Sequence, residues 1–312
     1  MLGLGLIGGS LLRALHAGGR DCVGFDTSPA TAAEASVDGY KVSDSLVAAV
    51  TGVDLVVLAM PLPQLRPALV AVAPLLTPGV VVTDVGTLKV PVRAAVHATM
   101  PDATFVGGHP LAGVEQSGWA AGFAGLFRDA PWTLTLEPDT DLNAWLGLAS
   151  MVCELGAHPV PVTAAEQDAA VARVIGLPHI LAEVLALTGL DGGPLGLSLA
   201  AGSYTTGSRV ARTRPDLVAS WCDGNDALVS ALDDVLGRLG AARAALADGG
   251  TVLELAADGY AARMNWEHRT ARPVDVPAER ATLLEHGRHG GWLTAVHESA
   301  DGVHLRGMLP AP

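Results

Sequence analysis

Short apolar runs and alanine-rich stretches alternate over the first half of the chain in the rhythm strand, helix, strand. Residues 22–25, 53–59, 80–83, 104–106, 132–136 and 158–162 are rich in Val, Leu and Thr and read as strands, with helical stretches between them. This alternation predicts an α/β fold with a mostly parallel, doubly wound sheet. The run Asp54-Leu55-Val56-Val57-Leu58-Ala59 is apolar on both faces, as a buried parallel strand must be, and Met60-Pro61-Leu62-Pro63 ends it. Ligands bind beyond the carboxyl ends of such strands, so the segments after Ala59, Thr83 and Val106 are predicted to line one crevice.

After Val162 the pattern changes. Thr163-Ala164-Ala165-Glu166 has the spacing of a capping box, and from there to about Trp266 helical periodicity dominates, with breaks near 189–194 and at Arg214-Pro215. A last stretch reads as a strand at 273–277, a helix at 278–286, and strands at 292–297 and 303–308 with Asp301-Gly302 at the turn. It is too small to hold a large core alone, so it is expected to pack on another domain or a partner chain.

The first residues carry a G-x-G-x-x-G element, Gly3-Leu4-Gly5-Leu6-Ile7-Gly8, that runs directly into a helical pattern, and Asp26 follows Gly8 after a second predicted strand. In a dinucleotide site Gly3 permits the tight turn, Gly5 lets the backbone approach a pyrophosphate, and Gly8 lets helix and strand pack closely. The helix start supplies free N–H donors to the phosphates. Asp26 would accept hydrogen bonds from the adenosine ribose, and Thr27-Ser28-Pro29 offers no arginine for a 2′-phosphate, which favours NAD over NADP. Only Met1 and Leu2 precede Gly3 where about four or five apolar residues are expected, so either the chain start is truncated or misassigned or the first strand is a stub. No positive charge precedes the apolar start, which argues against a secretory signal. The expected organisation is a Rossmann-type dinucleotide-binding domain over 1–162, an all-α domain over 163–268, and a small α+β segment over 269–312.

Composition narrows the partners. Half of the 312 residues are apolar, which is a globular composition. The net charge is −13 with no Lys/Arg cluster, so nucleic acid is not an expected partner. No apolar run reaches the length of a membrane span. Cys22, Cys153 and Cys222 lie far apart without a C-x-x-C pair, which gives neither a disulfide framework nor a zinc site and fits reduced thiols in the cytoplasm. His286, His289, His297 and His304 lack ligand spacing, and no metal is expected.

Three further segments carry candidate chemistry. Thr83-Asp84-Val85-Gly86-Thr87-Leu88-Lys89 and Gly107-Gly108-His109-Pro110-Leu111-Ala112-Gly113-Val114-Glu115-Gln116-Ser117-Gly118 follow predicted strands, and Gly176-Leu177-Pro178-His179 lies in the helical domain. A histidine in the cofactor crevice titrates near neutrality and can accept a proton from a hydroxyl whose carbon is losing hydride, which makes His109 the first catalytic candidate.

With the glycine element these segments resemble the prephenate and arogenate dehydrogenases of tyrosine biosynthesis, whose pattern includes D-x-G-S-x-K, G-H-P-M-A-G-x-E-x-S-G and S-H-L-P-H. The resemblance runs from Leu2 to about Asn225. It implies that His109 takes the hydrogen bond of the ring 4-hydroxyl and that Thr87, where the family usually has serine, keeps an orienting hydroxyl. His179 falls on the last histidine of S-H-L-P-H, whereas Ile175 and Gly176 replace its Ser and first His. Arg209 matches the arginine that holds a substrate carboxylate, with Arg212 and Arg214 as neighbours; Asp168 matches an acidic position; Glu115 and Ser117 shape the pocket. The cofactor contacts implied are Gly3, Gly5, Leu6, Ile7, Gly8, Asp26, Met60, Pro61, Asp84 and Gly86, with NAD as the cofactor.

The reaction implied is oxidative decarboxylation of prephenate or arogenate, in a homodimer formed through the helical domain. A 4-amino analogue of the substrate stays open. So does a β-hydroxyacid-type dehydrogenase, although that family uses a lysine in its helical domain and no lysine follows Lys89. A degenerate NAD-binding sensor is the non-enzyme alternative.

Overall fold

A computed structural model of the protein describes residues 1–114, 116–299 and 302–311. It divides into two compact units rather than three segments: residues 1–167 with 271–312, and residues 168–270.

The first unit is built on a twisted sheet. Strands β1 (Leu55–Leu58), β2 (Val81–Asp84) and β3 (Thr104–Val106) pair in parallel. Leu2 bridges both Phe25 and Leu58, and Gly24 bridges Val42, all in parallel. The resulting order, with residue 42 at the edge, then 24–25, Leu2, β1, β2 and β3, is the 3-2-1-4-5-6 order of dinucleotide-binding sheets. Leu2 takes the central position and backbone bonds hold it on both sides: Leu2 N–H donates to Val57 O, and Phe25 N–H to Met1 O. Residues 22–25 form only isolated bridges, and the contribution of Val42 has no apolar run to announce it.

One strand is absent from the sequence reading. Past Gly107 the chain of β3 continues as β4 (Gly108–Pro110), which pairs antiparallel with β5 (Pro131–Thr135), and β5 pairs in parallel with β6 (His158–Val162). His109 therefore sits within a strand, opposite Thr133, instead of in a loop after one. Gly107 is held at the crossover by bonds both ways with Thr135.

The C-terminal segment belongs to this unit. Strands β7 (Ala271–Val276), β8 (Trp292–Ser299) and β9 (Gly302–Pro310) form an antiparallel sheet in the order β7-β9-β8, with the helix Arg280–Arg288 between β7 and β8. Asp301 of the expected turn lies outside the described residues. Val276, Leu283, Leu293 and Leu305 share one core with Trp132, Leu134 and Trp145. At Gly287 a Cβ would stand 1.8 Å from the carbonyl oxygen of Pro161, so only glycine allows this helix so close to β6. Arg288 pairs with Glu166 at 2.6 Å, and Arg280 donates to the carbonyls of Glu137 and Thr140. This packing answers the segment's lack of a core of its own.

The second unit is all helical. The helices Ala164–Val171 and Leu177–Asp191 are joined by a π-helical turn, Ala172–Gly176. Pro178 supplies no N–H and crowds the carbonyl four residues back, and the wider turn just before it accommodates both effects. The helix continues through Gly176 without a break. As one element, Ala164–Asp191 is 28 residues long and apolar enough to cross a membrane by length and composition, which corrects the expectation that no segment reaches that length. The interruption by Arg173 and Glu183 hides this from a search for an unbroken apolar run. Further helices follow at Asp226–Ala247 and Leu253–Glu267.

Candidate active site

The glycine element forms a nucleotide cradle at the carboxyl end of the central strands. Gly3 has φ of +96°, and a Cβ there would lie 2.2 Å from the Ala59 carbonyl oxygen. A Cβ on Gly8 would meet Gly3 O at 2.1 Å, so Gly8 lets the helix pack onto the turn. Gly5 differs: nothing lies within 4 Å of its missing Cβ, which leaves open space for a ligand. Gly5 caps the helix Leu6–Ala17, which begins with Leu6 and Ile7, has no side-chain cap and no acidic residue in its first turn. Its free N–H groups and the positive end of its dipole fit a pyrophosphate.

Asp26 stands where a ribose would lie. Its carboxylate accepts from Leu4 N–H at 2.7 Å and Ser28 N–H at 2.8 Å, which fixes its orientation and leaves further lone pairs for hydroxyls. Met60 and Pro61 follow β1 on the same side of the sheet, and Pro61 caps the helix Leu62–Val72. This donor set fits NAD.

Asp84 and Gly86 are hydrogen-bonded to one another at the end of β2. The Asp84 carboxylate is 2% exposed and committed internally: it pairs with Lys89 and accepts from Gly86 N–H at 2.9 Å and Gly108 N–H at 3.2 Å. Lys89 Nζ also donates to Gly108 O at 2.7 Å. Burial pushes the Asp84 carboxyl above its usual range, opposed by Lys89 and the two amides. The D-x-G-x-x-K turn is therefore a buried clasp that ties the end of β2 to β4, directly before His109. Lys89 received no role from the sequence, because a lone lysine in an apolar context reads as a solvated charge.

His109 is buried at 6% exposure. Its Nδ1 lies 2.8 Å from the side-chain amide nitrogen of Gln167, which also donates to the Thr87 carbonyl at 3.1 Å. Burial, reinforced by the Lys89 charge, holds the imidazole well below its ordinary range, at about 3. This corrects the expectation of a ring titrating near neutrality. His109 is a neutral hydrogen-bonding group at any physiological pH, and it does not store a proton in the resting enzyme.

Gln167 is the functional-site residue that sequence reasoning missed. It follows the capping box, which forms as expected: Thr163 N–H donates to Glu166 at 2.9 Å and Glu166 N–H to Thr163 Oγ1 at 3.3 Å. One glutamine in a helical stretch gives no signal of a contact 58 residues away.

The loop after β4 is pinned to the cofactor helix. The Arg13 guanidinium stacks on the Trp119 ring at 3.4 Å, Trp119 Nε1 donates to Asp38 at 2.7 Å, and Phe123 N–H donates to Ser10 Oγ at 3.1 Å. Ser117 is exposed in this loop, and Glu115 lies outside the described residues.

In the helical unit, His179 Nδ1 bonds the Ile175 carbonyl at 2.8 Å, and its ring meets Trp221 edge-on at 4.9 Å. If Nδ1 donates, as facing a carbonyl requires, Nε2 keeps its lone pair. Gly176, where the family pattern has histidine, is packed by Leu228, whose Cδ1 lies 3.2 Å from the missing Cβ, so a larger side chain there requires Leu228 to shift. Asp168 is buried, and its carbonyl accepts from Asn225 Nδ2 at 3.0 Å. Arg209 and Arg212 lie exposed on a 3-10 turn and have no carboxylate partner among the described residues, whereas Arg214 pairs with Asp216 at 2.6 Å.

Comparisons with known proteins agree with these features. Residues 11–160 match the model of the prephenate dehydrogenase nucleotide-binding domain. The chain is 34% identical over 281 residues to the cyclohexadienyl dehydrogenase of Zymomonas mobilis, covering 85% of this chain and 94% of that protein. It is 32% identical over 250 residues to the prephenate dehydrogenase of Bacillus subtilis, covering 76% of this chain and 65% of that one. A crystal structure assigned as a prephenate dehydrogenase of Corynebacterium glutamicum superposes with a TM-score of 0.80 at 42% identity, covering 85% of this chain and 86% of that one. The cradle, the buried histidine and a relative matched over nearly its full length lead to one assignment: the chain belongs to the prephenate dehydrogenase family.

Proposed function

We propose that the protein is an NAD-dependent dehydrogenase that converts prephenate to 4-hydroxyphenylpyruvate and CO2 in tyrosine biosynthesis. The observation that carries this reading is His109: a neutral, fully desolvated imidazole held by Gln167 at the carboxyl end of a nucleotide-binding sheet. NAD, when bound, accepts the hydride that leaves ring carbon 4. The ring carboxylate departs as CO2, its bonding electrons complete the aromatic ring, and the hydroxyl stays on the product, so no net proton has to be taken up. The task of His109 is to hydrogen-bond that hydroxyl and fix the ring against the cofactor. Its depressed basicity suits a partner that must not become charged beside a cationic cofactor. Thr87, through its hydroxyl, and His179, through Nε2, are assigned to orienting the substrate, with Asp168, Glu115 and Ser117 shaping the pocket.

Prephenate carries two carboxylates, and Arg209 is proposed to hold the one that is retained. Arg209→Ala is expected to raise the Michaelis constant for prephenate by about ten- to a hundredfold, the effect of losing a charge-assisted contact, with NAD affinity unchanged. Arg212→Ala and Arg214→Ala, assayed beside it, are expected to stay near wild type. An effect confined to either neighbour would show that the alignment of this segment is wrong.

Arogenate differs from prephenate by an amino group in the side chain. The Zymomonas relative is named for the wider class of cyclohexadienyl acids, and acceptance of arogenate as a slower substrate is compatible with the same reading.

The helical unit is proposed to form a homodimer. Leu253–Glu267 has no buried residue, and Leu236, Leu239, Leu246, Leu253, Tyr260 and Trp266 are all more than half exposed. A surface so apolar calls for cover. The apolar exposure of Val184, Leu187 and Leu190 on the long helix is assigned to the same unit's association and not to lipid. Sedimentation is expected to give twice the chain mass, and a monomer at micromolar concentration would contradict the dimer. The three free thiols suit a reducing cytoplasm.

A further inference from the structure

One buried polar side chain at the reacting end has no part in the reaction as written. Gln167 is 1% exposed, and its amide nitrogen lies between two groups, the Thr87 carbonyl and His109 Nδ1. We propose that Gln167 is a positioning residue for His109, its amide setting which ring nitrogen carries the proton and so whether the imidazole meets the substrate hydroxyl as donor or acceptor. This rests on the reading of His109 as the partner of that hydroxyl.

A neutral imidazole has one N–H and one lone pair, and the bond made by one nitrogen decides the character of the other. A carbonyl only accepts, so the atom facing the Thr87 oxygen is the amide nitrogen of Gln167. That nitrogen then donates to Nδ1 as well, and the ring presents Nε2–H outward. Turning the amide over places Oε1 between the two groups. Nδ1–H then donates to Oε1 and Nε2 offers a lone pair to the hydroxyl, but the Thr87 carbonyl loses its donor and two oxygens face each other. The two forms differ by one amide rotation and one proton position. Both keep the imidazole plane where it is.

The support behind Gln167 is rigid. Glu166 closes the capping box and pairs with Arg288 of the C-terminal helix at 2.6 Å, and Ala164 N–H donates to Glu137 Oε1 at 2.6 Å. The first helical turn is thereby tied both to the segment just after β5 and to the C-terminal helix. Lys89 is the charged group that acts on the ring, and Asp84 lies behind it as its partner. The Gln167 amide is bonded to Nδ1 itself.

Two substitutions test the proposal. Gln167→Leu keeps the volume and removes both bonds; kcat for prephenate oxidation is expected to fall by about tenfold or more, while the Michaelis constant and NAD affinity stay within about twofold. Gln167→Glu accepts only, so it locks the proton on Nδ1 and makes the ring more basic. Its kcat is expected to be lowered and to gain a limb between about pH 7 and 5, because protonation there restores the outward N–H that the wild-type ring presents. The wild-type profile has no such limb. A kcat within about twofold of wild type for Gln167→Leu overturns the proposal. If that variant does not fold, Gln167→Glu decides: that limb supports it and a flat profile overturns it. His109→Asn, assayed in parallel, separates this from the underlying reading. Near-normal turnover there removes His109 itself, whereas a large loss there beside a silent Gln167→Leu removes only the role of Gln167.

Discussion

Replacing His109 with asparagine is expected to lower kcat by about a hundredfold or more, the usual worth of a positioned hydrogen-bonding or acid–base group. NAD affinity should be preserved, because the cradle is built from Gly3, Gly5, Gly8 and Asp26 and none of these touches the ring. Asparagine can still bond Gln167 but cannot reach outward as an imidazole does. Stopped-flow measurement of the hydride step, with NAD binding followed separately by fluorescence, checks both halves; near-normal turnover in a folded variant would take His109 out of the mechanism. The wild-type profile carries a second sign of the same burial. With the folded ring held at about 3 against an ordinary value of 6.5, the unfolded chain binds the extra proton first as pH falls. Folding stability owed to the neutral ring is therefore complete above pH 6.5 and declines between there and about 3, while turnover shows no limb from this group above that range.

The largest loss of stability is expected at Lys89. Lys89→Met leaves the Asp84 carboxylate buried with its two amide donors but without its cation, and breaking a buried pair in this way costs about 3–5 kcal/mol. The Gly108 carbonyl loses its donor as well, so the strand that carries His109 loosens at its base. At about 2–4 °C per kcal/mol for a unit of this size, the melting temperature should fall by roughly 6–20 °C. The double variant Lys89→Met with Asp84→Asn should recover part of that loss, because no unpaired charge remains. A melting temperature within about 2 °C of wild type for the single variant would show that the clasp is not what holds β2 to β4.

The parts of this molecule that were legible in its sequence are those governed by local rules. The glycine element, the capping box at Thr163 and Glu166, and β6 follow from spacing and from alternation of apolar positions. Three features depend on contacts far apart in the chain and left no local mark. Strand β4 is only Gly-His-Pro, with no β-branched residue, and exists because Thr133 and Leu134 of β5 pair with it. Lys89 is buried because Asp84 and Gly108 are there to receive it. The basicity of His109 is set by exclusion of water, which no motif encodes. The glycine at 176 shows the reverse: the sequence displayed a missing histidine, and the structure packs Leu228 against that position.

The most direct test of the account is formation of NADH by the purified full chain with NAD and prephenate, followed alongside release of CO2 and appearance of 4-hydroxyphenylpyruvate, with arogenate in a parallel reaction. All three products are expected from prephenate in equal amounts, at a rate that His109→Asn lowers by about a hundredfold or more. Binding of NAD with no turnover of either acid would contradict it, and would make the protein a cofactor-binding member of the family without its chemistry.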